Sequence, residues 1–90
     1  MEEKKIKTEE LEQGKIYYLD YGSNTQIIGR YKDSDVCQHN FYDLIHYWNG
    51  FETFRSNNQY CVLSGIENLR RATKAEKHSL IKFEIEHDCI

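Results

Sequence analysis

Three groups of side chains in this sequence have the types and spacing that chemistry needs. Cys37 and His39 lie one residue apart, as do His87 and Cys89, and two thiolates with two imidazoles make a ligand set suited to tetrahedral zinc. Structural zinc sites usually space their paired ligands by two to four residues, so a one-residue gap seats each pair badly unless the backbone is extended. No metal site and no cofactor is expected. Asp43 and Glu52 fall on one face of a predicted hairpin beside Tyr47, and paired carboxylates can do acid-base work. At the rim of a sheet they have a plainer role in solvent or salt bridges. No Cys or Ser occupies a nucleophile elbow or a Gly-rich loop. The chain therefore reads as non-enzymatic, with a small enzyme ranked behind two binding roles.

The residues best suited to function are aromatic. Tyr42, His46, Trp48, Phe51, Arg55 and Tyr60 are expected on one sheet face, and Tyr, Trp and Arg are enriched at binding hot spots because they offer large buried area with few rotors and a polar tip. A protein-binding surface is the first reading. The alternative is a nucleotide or single-stranded nucleic-acid binder, with bases stacked on the rings and Arg55 on a phosphate. A formal charge of −3 argues against a general nucleic-acid binder, whose affinity comes largely from cationic phosphate contacts. A structural role competes with both: the C-terminal helix laid over this face, with Ile81 and Ile85 against Trp48 and Leu44. Arg70, Arg71 and Lys74, joined by Lys77, are the basic cluster of an otherwise acidic chain and form a secondary candidate site for an anion at the start of that helix.

The elements that must position these residues are marked by turns. Asn49-Gly50 is the strongest short hairpin signal available, since a type I′ turn needs positive φ at both central residues. It pairs Trp48 with Phe51, Tyr47 with Glu52, His46 with Thr53, Ile45 with Phe54, Leu44 with Arg55 and Asp43 with Ser56. The same rule applied to Asn57-Asn58 pairs Arg55 with Tyr60, Phe54 with Cys61 and Thr53 with Val62, leaving Cys61 a buried, inert thiol. Two faces follow. One carries Phe41, Ile45, Tyr47, Phe54, Cys61 and Leu63 with Asp43 and Glu52; the other carries Tyr42, Leu44, His46, Trp48, Phe51, Tyr60 and Val62 around Arg55. Both are apolar and both need cover, by barrel closure on one side and by a helix, a second subunit or a ligand on the other. With one helix in view, a homodimer at micromolar concentration is expected.

Along the rest of the chain, 1–12 is a charged lead-in, frayed or with a single helical turn, closed by Gln13-Gly14. Strands are expected over Lys15–Tyr21, Thr25–Lys32 with a bulge or close backbone approach at Gly29, and Ile66–Ala72 after a Ser64-Gly65 turn. Thr73-Lys74-Ala75-Glu76 is a capping box. It starts a helix over 74–86, against which the alternation from Lys82 to Cys89 offers a short extra strand. The fold class is mainly β (α+β): a small, strongly bent antiparallel sheet or SH3-like barrel of about five strands, spanning 15–72, with one C-terminal helix. Its 90 residues make a single domain.

Three cysteines are an odd number, and Met1 is followed by Glu2, Glu3, Lys4 and Lys5 rather than an apolar leader. Reduced thiols and a cytoplasmic location are expected. No apolar run approaches the ~20 residues of a membrane span.

The order of elements, with Gly14-Lys15-Ile16-Tyr17 opening the first strand and Leu69-Arg70-Arg71-Ala72-Thr73-Lys74-Ala75-Glu76-Lys77 leading into the helix, resembles small phage or prophage accessory proteins of Bacteroidetes. In those, a short β-barrel-like body ends in an R-x-A-T-x-x-E-K junction. The resemblance implies a mobile-element protein inside a bacterial cell that binds a host or phage protein, by analogy as an inhibitor, and it brings no catalytic residues.

Overall fold

The computed structural model describes residues 5–34, 38–62 and 66–87, with only the backbone at 8 and 57–62. Five strands, β1 (Ile16–Gly22), β2 (Thr25–Ser34), β3 (Gln38–Trp48), β4 (Phe51–Val62) and β5 (Asn68–Arg71), form one antiparallel sheet in the order β4-β3-β2-β1-β5, followed by a helix, α1 (Lys74–Glu86). The mainly β class with a C-terminal helix is as expected. Of the two architectures within it, the sheet is open rather than a closed barrel, with β4 and β5 as its edges.

The hairpins are set by their turns. Asn49 and Gly50 both have positive φ (50° and 82°), the I′ combination whose twist matches the flanking strands. All six pairs expected from this turn, Trp48 with Phe51 through Asp43 with Ser56, are present. Ser23 and Asn24 (φ 47° and 62°) repeat the device between β1 and β2.

The second Asn pair does something else. Asn57-Asn58 does not turn the chain, and β4 runs through it to Val62, so Arg55 does not pair with Tyr60, Phe54 with Cys61 or Thr53 with Val62. Tyr60 lies instead opposite Asn40, Cys61 opposite His39 and Val62 opposite Gln38. Between the pairs Asp43 with Ser56 and Phe41 with Gln59, β3 contributes only Tyr42 while β4 contributes both asparagines. On the other side Arg30 pairs with Asp43 and Tyr31 with Phe41, which again leaves Tyr42 without an opposite residue. A bulge of this kind shifts the alternation by one. Phe41 is thereby moved off the Ile45 face and into the core beside Leu44, and Tyr42 turns outward.

One core, Ile16, Ile28, Ile45, Ala72 and Leu80 with Tyr18, Tyr47, Phe54, Ile81 and Phe83 around it, lies between the sheet and α1. The capping box holds the start of α1: Glu76 N–H donates to the Thr73 hydroxyl at 3.2 Å and Thr73 N–H to the Glu76 carboxylate at 2.8 Å. The helix continues to Glu86, so no strand forms over 82–87. Phe83 stacks on Phe54 at 5.3 Å, and His87 lies 4.8 Å from the same ring.

The other core is on the opposite face: Tyr17, Leu19, Ile27, Tyr31, Phe41, Leu44 and Leu69. Tyr31 meets Tyr17, His39 and Phe41 edge to face at 5.9–6.2 Å. Gly29 permits this. A Cβ there would lie 2.6 Å from the Phe41 ring and 3.2 Å from Leu44 Cβ, so the close approach expected of Gly29 is real. Ile6 and Leu11 cover this core. The described lead-in is therefore docked: its Ile6 N–H donates to Leu69 O at 2.8 Å, Lys5 bridges to Arg70, and a 3-10 turn spans Thr8–Glu10. Cys37, Leu63, Cys89 and the Ser64-Gly65 turn lie outside the described residues, as do the side chains of Tyr60 and Cys61.

Candidate functional site

β3 and β4 place four of the six aromatic-face residues together. His46, Trp48, Phe51 and Arg55 share the face opposite α1: Trp48 lies across from Phe51, His46 two residues before Trp48, and Arg55 across from Leu44, diagonal to His46. Trp48 is 57% and Phe51 72% exposed, Arg55 is exposed and His46 is half-buried. Burial lowers the His46 pKa, and the nearby Arg55 charge adds to this. Tyr42 does not join them. The bulge turns it outward, and six residues of β3 at ~3.3 Å each separate it from Trp48 by about 20 Å; there it accepts from Gln13 Nε2 at 2.6 Å and lies under the Lys32 ammonium.

The helix does not cover this face, so the competing structural role is overturned. Ile81 and Ile85 do not pack on Trp48 and Leu44; Ile81 belongs to the core on the other side, and Ile85 is exposed. Between α1 and that opposite face, beside the apolar contacts of Leu80, Ile81 and Phe83, lies a buried charged group. Glu84, fully buried, accepts from Arg30 Nε at 2.7 Å and from a second guanidinium nitrogen at 2.8 Å, while Arg30 also donates to Gly14 O at 2.8 Å. Asp43 completes the group. It is buried under the helix, not at the rim of the sheet, which corrects the plainer role assigned to it. Burial, then the hydrogen bond to Glu84, pushes its carboxyl up to about 7 against the pull of Arg30. Burial also pushes Glu84 up, but the bonds from Arg30 and Asp43 outweigh it and hold it below its ordinary value. Below about pH 7 Asp43 is therefore the partner that holds the proton, and its hydroxyl donates the hydrogen bond to the Glu84 carboxylate. Glu52 stays exposed and bonds to Tyr47, whose hydroxyl is raised by burial and then by Glu52.

Of the basic cluster, Arg70 is committed elsewhere. It grips both Glu76 oxygens at 2.8 and 2.9 Å and lies 3.8 Å over the Tyr18 ring. Lys74 is exposed. Arg71 lines a cavity of about 300 Å³ that Lys74 and Arg70 do not, in company with Gly14, Lys15, Ile16, Arg30, Lys77 and Ile81. Lys77 already belonged with Arg71 in the sequence, whereas Lys15 and Arg30 were not readable as their neighbours, because the approach to β1 and the middle of β2 bring them there. Among the described residues no group of three or more His, Cys, Asp or Glu could hold a metal, and no helix is long and apolar enough to cross a membrane.

The chain matches no family model, no curated protein and no solved structure.

Proposed function

We propose that this is a non-enzymatic, cytoplasmic protein-binding module, carried by a phage or other mobile element, whose site is the free end of the β3–β4 hairpin. The observation that carries this is the cross-strand pair Trp48 and Phe51, both more than half exposed on a sheet face that α1 leaves open. Two large rings held by a rigid hairpin give contact area at little entropic cost, and Arg55 and His46 supply polar tips beside them. β4 adds a backbone edge with no neighbouring strand among the described residues. An extended partner segment can pair with that edge while its side chains meet the rings, which is recognition by strand addition. A nucleic-acid role has less support, since Arg55 is the one cation in the patch and a single phosphate contact gives little affinity. The case for a homodimer also narrows, because α1 covers one of the two apolar faces.

Affinity capture from a bacterial lysate with the parent chain and with a Trp48→Ala, Phe51→Ala variant tests this. A protein held by the parent and lost by the variant, with little salt dependence, is the expected result. Equal capture by both chains, or binding that collapses as salt rises, would sink the reading.

A further inference from the structure

We propose that the cavity between the start of β1, the end of β5 and α1 is a binding site for a phosphate monoester. It is separate from the hairpin site, on different elements, and stands or falls without it. Four cations converge there in a chain of formal charge −3: Lys15, Arg30, Arg71 and Lys77. Glu84 neutralises Arg30 and Glu12 pairs with Lys15 at 2.7 Å, whereas Arg71 and Lys77 make no ion pair among the described residues. Two uncompensated positive charges therefore face one space.

That count selects the ligand. A carboxylate or a sulfate monoester brings one negative charge and leaves a cation unmatched, while a phosphate monoester carries close to two at neutral pH. Arg71 supplies a planar fork and Lys77 a point charge, the usual division of work around such a group. Arg30 is fixed by its bonds to Glu84 and Gly14 O, and forms a rigid floor without adding net charge. The cavity, about 300 Å³, is larger than a phosphate alone requires, and Ile16 and Ile81 line it; the remainder of the ligand, an apolar or ring-bearing group, lies against them. Glu12 is tied to the lining through Lys15. Its exposed carboxyl is held below its ordinary range by Lys15 first and by the Arg71 charge in smaller part, so it already feels the field that a phosphate would.

The test is a titration of the ¹⁵N-labelled chain with phenyl phosphate, phenyl sulfate and inorganic phosphate at matched ionic strength. Phenyl phosphate should saturate, with amide shifts centred on Lys15, Arg71 and Lys77. It should bind more tightly than phenyl sulfate, by the missing charge, and more tightly than inorganic phosphate, by the apolar wall. Losing two charged donors in an Arg71→Gln, Lys77→Gln variant should weaken it by about tenfold or more, and Glu12→Gln, by freeing Lys15, should tighten it. Shifts that never saturate, shifts centred elsewhere, phenyl sulfate bound as tightly as phenyl phosphate, or unchanged affinity in the folded double variant would each overturn the proposal.

Discussion

The two faces of the sheet are held by different means. The face under α1 has an aliphatic centre flanked by the stacked Phe54 and Phe83 and carries one charged group, Arg30, Glu84 and Asp43, whose carboxyls are buried beneath the helix; the opposite face centres on Tyr31 and its edge-to-face rings, with no buried ion pair among the described residues. An aliphatic surface alone gives a helix many equivalent ways to lie. A buried carboxylate that must meet one guanidinium gives it few. The aromatic face needs no such device, because ring packing around Gly29 fixes its geometry, and among the described residues it has Ile6, Leu11, Tyr21 and Ile66 as partial cover. Hence one face is closed and the other ends in exposed rings.

The sharpest way to break this comparison is to remove Arg30. Arg30→Met leaves Glu84 buried without its cation, and a loss of about 3–5 kcal/mol is expected in urea unfolding, as for other buried pairs stripped of one partner. A small loss would mean that the group is solvated and does not seat the helix.

Next in size is a pH effect. Asp43 in the folded chain titrates near 7 against an ordinary value of 3.8, so between those values the folded state holds a proton that the unfolded state has released. Stability should therefore decline as pH rises from about 4 to about 7 and level off above. Glu84 is shifted the other way, and its contribution is lost only as pH falls below its ordinary 4.5. Asp43→Asn should abolish the decline; thermal melts across that range that remain parallel for both chains would show that no proton is shared.

Gly29→Ala probes the aromatic face. Its Cβ meets Phe41, which is fully buried and has no room to yield, so overpacking should cost about 1–3 kcal/mol, and the near-ultraviolet circular dichroism of the rings should change with it. The smallest effect belongs to the open end. Trp48→Ala with Phe51→Ala should alter stability by no more than about 0.5 kcal/mol per site, as at other exposed positions. A larger loss would make these rings core and remove the proposed site.

How far this was legible in the sequence depends on how local the cause is. Asn49-Gly50 fixed six pairs correctly because a two-residue I′ turn leaves no choice of register, and Thr73 with Glu76 marked the helix start for the same local reason. Asn57-Asn58 misled because the residues that tolerate a turn also tolerate a bulge, and only the pairing of β3 with β2 on its far side decides between them. The shift at Tyr42 then moved Phe41 to the other face and took Tyr42 away from Trp48. Which face α1 covers was hidden too. A buried glutamate weakens the apolar stripe of the helix, and its partner Arg30 lies 54 residues earlier in the chain.

The irregularity opposite Tyr42 has a consequence for how the protein behaves when crowded. A twelve-residue strand on the border of a sheet is a template for fibre growth, because another copy can add along its whole length. One extra residue at Asn57-Asn58, in the middle of β4, breaks that length into a stretch before Asn57 and a stretch after Asn58 that do not lie in one register. The stretch after Asn58 is only four residues long, and the first, Phe51–Ser56, carries Glu52 and Arg55, whose charges oppose in-register stacking of copies, yet it remains available for a short, specific docking. Deleting one of the two asparagines would restore a continuous border, and the variant should form thioflavin-positive aggregates at concentrations where the parent chain stays clear.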